Sequence, residues 1–394
     1  MHRRPHVQLG LIAATQVLAM AMWFSASAVM PTLRETWHLD GSQAGWLTAT
    51  VQLGFVVGAL TSAVLNLPDR LPPHLLLAAS AVGAAAATAT IALFVSDFGT
   101  AAALRFVTGF FLAGVYPVGM KLMASWFGST GRGLALGVLV GALTLGSALP
   151  HLVNSSGTLP WQNVLLTASG LGLAAAVVAT ALVRSGPHTS SGSRPHPRYV
   201  LEMFRRPQPR YANLGYFGHM WELYALWTWL LSFVLAATRT DGQAAGLLTF
   251  TAIGAAGLAG SLLGGWASDR FGRARTAGIA LVVSGSCCLL SPLFYLAPWP
   301  VLVAFLMVWG ASVIADSAVF STALSEVVDQ RYVGTALTAQ TAIGFLITVL
   351  TINLVPIAAD FVGWQYAFLV LVPGPVVGAL AMRAFGKRPT PTRA

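Results

Sequence analysis

The chain has 394 residues, of which 56% are hydrophobic and only 9% are charged, whereas soluble domains carry roughly 25% charged residues. This composition excludes an ordinary soluble enzyme and predicts a protein embedded in a lipid bilayer. The formal net charge of +10 at pH 7 could suggest a nucleic acid partner. The basic residues are scattered between apolar stretches instead of forming one surface, so we expect no nucleic acid partner.

The first apolar stretch covers residues 7–30 and follows two arginines. A basic start and small residues at 25–28 are also typical of a secretory signal. Signal cores have roughly 7 to 15 apolar residues, whereas this stretch can cross a hydrocarbon core of about 30 Å, so we interpret it as a membrane span. Five more spans follow in the first half, near 43–66, 74–95, 100–126, 133–153 and 161–183.

A polar segment rich in proline and serine, residues 184–210, contains six arginines and too few apolar residues to cross a membrane. Residues 199–206 within it are predicted to form a short helix on the membrane surface. We therefore predict three parts: a first bundle at 1–183, a cytoplasmic linker at 184–210 and a second bundle at 211–394. The spans of the second half lie near 211–237, 243–267, 275–296, 299–325, 334–357 and 363–385, followed by a basic tail with Lys387 and Arg388.

Twelve spans place both termini on one side of the membrane. If that side is the cytoplasm, 19 of the 22 Lys and Arg residues lie on the inner side, with Arg34, Arg105 and Arg239 as the exceptions. Basic residues accumulate in cytoplasmic loops. We therefore expect a multi-pass inner-membrane protein with both termini in the cytoplasm.

The two halves repeat each other. Residues 40–48 recur as 241–249, an offset of 201 positions, and Asp69 and Arg70 recur as Asp269 and Arg270. Gly133 recurs as Gly334, and the Trp-Gln pair at 161–162 recurs at 364–365. These repeats predict that one six-helix unit has been duplicated.

A glycine- and arginine-rich turn lies between two apolar stretches of the second half. Its residues Gly265, Asp269, Arg270, Gly272 and Arg273 form a pattern that resembles the loop signature of the major facilitator superfamily of secondary transporters. Together with the repeat, this resemblance covers nearly the whole chain. It implies an all-α polytopic fold in which 12 transmembrane helices form two six-helix bundles related by a pseudo-twofold axis, with transport at their interface.

The resemblance implies that this turn is a cytoplasmic gating loop. In the family such an aspartate engages the start of a helix in the other half, which for Asp269 is the helix beginning near residues 131–133. In the first half only Asp69 and Arg70 match the signature, because Leu65, Pro72 and Pro73 replace its other residues. A simple positive-inside turn is the alternative interpretation.

Two further patterns resemble the same family. Arg105 followed by Gly109 resembles an arginine-glycine pattern of the fourth helix. Gly137, Gly141, Gly146 and Pro150 loosely resemble the glycine-proline stripe of the fifth helix in drug/proton antiporters, and close helix packing is the alternative role of these glycines.

Polar groups inside the membrane carry the functional hypothesis, because a charge at the bilayer centre costs about 2.5 to 3.5 kcal/mol on insertion scales. A carboxyl group in apolar surroundings can take up and release a proton near neutral pH. We predict that Glu222 is the first candidate for proton coupling and Asp316 the second, with His219 as a candidate relay. For Asp316 and His219 a structural role is the alternative. The residues predicted to face a substrate cavity are Arg105, Trp23, Gln16, Tyr116, Tyr224, Trp309, Gln52 and Gln340. For Arg105 the alternative is a structural role, in which it pairs with a carboxylate or with backbone carbonyls.

The chain lacks a phosphate-binding loop, a His-Glu-x-x-His helix and a Gly-x-Ser-x-Gly elbow, so we expect neither an enzyme nor a nucleotide-driven pump. Neighbouring Cys287 and Cys288 are interpreted as core residues, and we expect no metal and no cofactor. The sequence predicts a monomeric, proton-coupled carrier of a small polar or anionic solute. The alternatives are efflux of amphipathic drugs and a non-transporting membrane sensor on the same scaffold.

Overall fold

A computed structural model describes residues 5–127, 132–156, 159–187, 203–238, 242–329 and 332–387, without the side chains of 132–134. The described residues form helices and connecting turns, with no β-strand among them. Eleven of the helices are long and apolar enough to cross a membrane. The predicted all-α polytopic class is confirmed, and the chain is a multi-pass membrane protein.

Span 1 differs from the prediction because it is divided into Pro5–Met20, Ser25–Ala28 and Met30–Trp37. It therefore extends beyond the predicted end at residue 30 and is not one of the eleven long helices. Spans 2 to 6 are Gly41–Val64, Pro73–Phe94, Phe98–Trp126, Arg132–Ser155 and Trp161–Ala181. Spans 7 to 12 are Pro207–Thr238, Gly242–Phe271, Arg273–Phe294, Trp299–Val327, Val333–Val362 and Trp364–Gly386.

Side-chain caps fix where two of the spans begin. Asp40 accepts a hydrogen bond from the Gln43 N–H at 2.7 Å, and the Gln43 side chain accepts one from the Asp40 N–H, which completes a capping box for span 2. Asp97 caps span 4 by accepting from the Thr100 N–H at 2.9 Å. This backbone hydrogen bond favours the ionised carboxylate and lowers the pKa of Asp97.

Glycines bring helices into backbone contact at equivalent positions of the two halves. A Cβ added to Gly109 in span 4 would meet the backbone of Val51 in span 2, and one added to Gly310 in span 10 would meet the backbone of Ala252 in span 8. Both pairs of positions differ by 201, the offset of the sequence repeat. The shared contact supports the proposal that one unit was duplicated.

Two helix pairs make the most extensive contacts between the halves. Span 5 packs along span 8, with Gly257 against Thr144 and Gly137 near Gly265. Span 2 packs on span 11 near the connection that follows span 1, where Gly45 lies against Asn353. We name the side of the molecule that carries Gly45 and Asn353 the far face.

The opposite side, which we name the terminal face, carries the start of span 1 and the end of span 12. Gln8 donates to the Leu182 carbonyl at 3.0 Å and accepts from the Arg184 N–H at 2.9 Å, which ties span 1 to the end of span 6. Of the predicted surface helix at 199–206, residues 199–202 lie outside the described residues. Met203 is buried and packs near Leu324.

Candidate functional site

An arginine of span 4 seals the interruption of span 1. Arg105 is 1% exposed and donates to the Met22 carbonyl at 2.9 Å and to the Trp23 carbonyl. It also reaches the Leu47 carbonyl of span 2 at 3.4 Å. Carbonyl groups released from a helix at membrane depth need partners within the protein. The geometry therefore matches the structural alternative, in which Arg105 pairs with backbone carbonyls.

Span 1 returns the same kind of contact to span 4, which is interrupted at residues 113–115. The buried side chain of Gln16 donates to the Val115 carbonyl at 3.0 Å. Spans 1 and 4 thus supply hydrogen-bond donors to each other's interruptions. Arg105 of span 4 donates to the interruption of span 1, and Gln16 of span 1 donates to that of span 4. This crossed capping fixes both bends to one another.

Spans 7 and 10 have a related contact in the second half. Span 10 is interrupted at Asp316, and the His219 Nδ1 atom lies 2.8 Å from Asp316 Oδ1. Both residues are 1% exposed. Asp316 is 201 positions after Val115, and His219 is 203 positions after Gln16. In the second half, a histidine and an aspartate therefore occupy the place that the Gln16 amide and the Val115 carbonyl hold in the first half.

Glu222 of span 7 points into the second half, towards spans 9 and 10. Its carboxylate accepts hydrogen bonds from Trp309 Nε1 at 2.7 Å, Ser284 Oγ at 2.9 Å and Cys288 Sγ at 3.2 Å. The side chain is 1% exposed, so it does not face lipid. Three donors satisfy an ionised carboxylate without a counter-cation.

The same three donors can accommodate a protonated Glu222. Ser284 Oγ lies 2.9 Å from the carboxylate and 3.4 Å from the Leu281 carbonyl, so its hydroxyl can turn and accept from the acid while donating to that carbonyl. The site can therefore hold Glu222 in either charge state. This property is required of a group that loads and releases a proton.

A cavity of about 30 Å³ lies between the two halves. At about 10 to 15 Å³ per water it has room for roughly two waters. The two halves are therefore packed closely around the site in this conformation. Five spans contribute to its walls. The lining residues are Tyr116, Met120, Val140, Leu143, Tyr216, Met220, Leu223, Tyr224, Ile314, Ser317, Ser321, Thr341 and Phe345.

Six buried aromatic side chains close the far-face side of this cavity. We name them the aromatic plug: Trp23, Phe24, Phe55, Tyr224, Trp227 and Phe345. The ring centroids of Phe55 and Phe345 are 4.5 Å apart, and those of Trp23 and Tyr224 are 5.8 Å apart. The plug residues belong to spans 1, 2, 7 and 11. The plug therefore holds the two halves together on the far-face side of the cavity.

The predicted cavity residues fall into four groups. Tyr116 and Tyr224 line the cavity, and Trp23 belongs to the aromatic plug. Gln52 is fully buried, and neither its amide nitrogen nor its oxygen has a partner among the described residues. The other four predicted residues make structural contacts: Arg105 and Gln16 at the interruptions, Trp309 with Glu222, and Gln340 with Asn213 at 3.0 Å.

Sequence reasoning missed several lining residues. Tyr216 precedes Met220 and Tyr224 by four and eight positions, a spacing that places all three on one helix face. That stripe is a signal from which Tyr216 could have been found. Ser317 and Ser321 also lie four positions apart, whereas nothing in the sequence around Thr341 distinguishes it.

The predicted gating loop forms a compact cluster on the terminal face. Arg273 donates to Asp269 and to Ser268, both at 2.6 Å, and its Nη2 atom lies 3.3 Å from Glu326. Gly272 has a φ of +87°, a conformation that favours glycine. The Arg270 guanidinium lies 5.6 Å from the centroid of the Trp266 ring, a cation–π distance.

The predicted partner of Asp269, the helix start at 131–133, lies outside the described side chains. Asp269 is bonded to Arg273 within its own half. In the first half Asp69 is paired with Lys121 of span 4, and Arg70 is exposed. The two loops thus place their aspartates in local ion pairs, one with an arginine four residues on and one with a lysine of another span.

Comparison with known proteins identifies the family and relatives. The sequence matches the profile described as Major Facilitator Superfamily over residues 12–239 and 212–394. The probable L-galactonate transporter of Escherichia coli K12 is 24% identical over 297 residues, which are 71% of this chain and 64% of that protein. The gallate transporter of Pseudomonas putida is 24% identical over 296 residues, 66% of this chain and 64% of that protein.

The gentisate transporter of Corynebacterium glutamicum is 26% identical over 281 residues, 66% of this chain and 61% of that protein. The matches to these three relatives span a little less than two thirds of the relatives' own length. Among solved structures, a bacterial homolog to the human lysosomal transporter Spinster, inward-facing and unoccupied, superposes with a TM-score of 0.73 at 15% identity, covering 98% of this chain and 99% of that one. At this identity the likeness shows the fold.

Replacing Arg105 by lysine should destabilise the protein, because lysine keeps the charge but lacks the planar fork that reaches two carbonyls. The Met22 carbonyl keeps a hydrogen bond from Ser25 Oγ, so the loss concerns the Trp23 carbonyl and should cost about 1 to 3 kcal/mol. The measurement is the thermal unfolding of the purified protein, with Arg70→Lys as an exposed control on the terminal face. An Arg105→Lys protein as stable as the Arg70→Lys protein would contradict the capping role.

Proposed function

The chain belongs to the major facilitator superfamily, and on that premise we propose that it is a secondary transporter that carries small organic anions by alternating access. It is not an enzyme, since the family and these relatives are transporters. We place it in the inner membrane with the terminal face towards the cytoplasm, which agrees with the distribution of arginine and lysine. The two bundles, 1–183 and 211–394, are the units proposed to rock about the central cavity.

The cavity between the halves is the observation that carries this proposal. Spans 4 and 5 of the first half and spans 7, 10 and 11 of the second half all contribute to its walls. A pocket built by both halves changes shape when they move relative to each other. The aromatic plug closes it towards the far face, whereas Tyr116, Ser321 and Thr341 on its other walls are partly exposed. This arrangement suits a site that opens to one side at a time.

Neutral hydrogen-bond donors support an anionic substrate. Three tyrosines and the hydroxyls of Ser317, Ser321 and Thr341 line the cavity. Among the described residues, the indole N–H groups of Trp23 and Trp227 in the plug have no hydrogen-bond partner. Buried donors of this kind favour a ligand with acceptor oxygens. Since Arg105 is occupied by backbone carbonyls, we assign anion binding to these neutral donors.

The names of the relatives support the same class. Galactonate, gallate and gentisate are all hydroxylated carboxylates, and each is the substrate named for one relative. Hydroxyl groups of such a solute can exchange hydrogen bonds with the tyrosines and with Ser317, while a ring can stack on the plug. We therefore propose a hydroxylated carboxylate as the substrate of this chain.

Proton coupling is proposed for the buried acids of the second half. Asp316 directly precedes Ser317 of the cavity wall, and the Tyr216 ring centroid lies 6.1 Å from that of His219. The carboxyl group of Asp316, with His219 Nδ1 at 2.8 Å, is thus one residue from the site. Glu222 has a less direct connection, because it points away from the cavity into spans 9 and 10.

Two alternatives make different predictions. The first is efflux, because the aromatic plug would also suit an amphipathic drug. The second is a non-transporting sensor, which requires that Glu222 and Asp316 are sealed from water, as they are in this conformation. A cationic dye as the preferred ligand would support efflux. Ligand binding with no movement of solute across vesicles would support the sensor.

The substrate class can be tested with a ligand panel. We expect gallate, gentisate and galactonate to raise the melting temperature of the purified protein, because a ligand at ten times its dissociation constant stabilises by about 1.4 kcal/mol. The matched controls are the methyl esters of gallate and gentisate, which lack the charge. Stabilisation by the esters or by a cationic dye, with none by the acids, would reject the organic-anion assignment.

Coupling can be tested in proteoliposomes with an imposed pH gradient. We expect Asp316→Asn to abolish gradient-driven accumulation of the acid found by the panel, while exchange at equal pH persists, because the variant cannot release a proton. Glu222→Gln should have the same effect if its proton is part of the cycle. Asp360→Asn, at an exposed position on the far face, is the control. Full accumulation by Asp316→Asn and Glu222→Gln would remove both acids from coupling.

A further inference from the structure

A second, larger opening lies on the outside of the second half, away from the central cavity. It has a volume of about 980 Å³ and runs between spans 9 and 12 at the terminal face, next to the loop at 268–273. None of its lining residues belongs to the central cavity. We name it the lateral groove, and it has no role in the transport mechanism proposed above.

The walls of the lateral groove are apolar and face outwards. Ile279 and Val282 of span 9 are 56% and 58% exposed, and Leu380 of span 12 is 61% exposed. These side chains lie on membrane spans, where exposed aliphatic groups contact lipid tails. The groove is thus accessible to a molecule with an acyl chain that approaches from the bilayer.

The polar end of the groove is basic. Its lining contains three arginines and one glutamate. Arg273 is already bonded to Asp269 and close to Glu326. Arg275 and Arg383 are exposed, and in the described part of the chain neither makes an ion pair or a hydrogen bond. Two cationic groups therefore remain available for a ligand.

The position of Arg275 adds an independent argument. Span 9 begins at Arg273, so both Arg273 and Arg275 lie in the first turn of a 22-residue helix. The amino end of a helix carries partial positive charge and favours anions, so two arginines there are unfavourable without a counter-charge. Asp269 and Glu326 provide it for Arg273. Arg275 makes no ion pair within the described residues, and an anionic ligand would supply one.

We propose that the lateral groove binds an anionic phospholipid, with its phosphate between Arg275 and Arg383 and an acyl chain along Ile279, Val282 and Leu380. A free phosphate ion would use the arginines but leave the aliphatic walls uncovered. A zwitterionic lipid would use the walls but gain less from the charge. Basic pockets between membrane helices on the cytoplasmic side are suited to anionic headgroups.

The test uses the full-length purified protein and measures binding of phosphatidylglycerol and of phosphatidylcholine with identical acyl chains by native mass spectrometry. We expect tighter binding of phosphatidylglycerol. Arg275→Ala and Arg383→Ala should each weaken it about fivefold, and the double variant about 25-fold, from roughly 1 kcal/mol per basic residue near a lipid surface. Arg70→Ala, an exposed arginine on the same face of the other half, should bind as the parent does.

A second variant tests the walls without changing any charge. Val282→Trp fills the groove and should weaken binding of both lipids. The proposal is overturned if the two lipids bind equally well, if Arg70→Ala loses as much affinity as the double variant, or if inorganic phosphate competes as well as the lipid does. Since Arg275 and Arg383 are exposed, an unchanged melting temperature of their variants serves as the folding control.

Discussion

The structure depends on one constraint: backbone groups that leave a helix inside a membrane must find partners within the protein. Spans 1 and 4 are both interrupted near their middle, and each is satisfied by a side chain of the other. Arg105 supplies donors to the carbonyls of Met22 and Trp23, and Gln16 supplies one to Val115. An unpaired arginine charge inside a membrane costs free energy. Through these hydrogen bonds Arg105 is instead a fixed part of the helix packing.

The interruptions also position the cavity. Tyr116 begins the second segment of span 4 and Ser317 begins the second segment of span 10, and both line the cavity. The bends therefore bring the first turn of each segment to the interface between the halves. On the far-face side the buried rings of the aromatic plug close the cavity. The buried pair of His219 and Asp316 lies at the bend of span 10, so a change in its charge would act on the cavity wall through the backbone.

Hydropathy predicted the eleven long membrane helices, because membrane crossing requires about 20 apolar residues. The repeat and the loop of Asp269 predicted the family. The roles of individual polar residues were harder to predict. Their charge inside a membrane span identified Glu222 and Arg105 as candidates, but helical spacing does not reveal which neighbouring span each one meets. For Arg105 both a cavity position and pairing with backbone carbonyls were predicted as alternatives, and the structure has the second. Glu222 faces Ser284 and Cys288. The interruption of span 1 has no proline or glycine within residues 21–24, so the local sequence does not predict it.

Alternating access requires spans 2 and 11 to separate on the far face during each cycle. A cysteine pair at Gly45 and Asn353, which are in contact there, can lock them, and the native Cys287 and Cys288 are buried. The most direct measurement is substrate exchange by the Gly45→Cys/Asn353→Cys protein in proteoliposomes, oxidised and then reduced. We expect oxidation to stop exchange and reduction to restore it, with each single variant unaffected. Undiminished exchange by the fully crosslinked protein would contradict it.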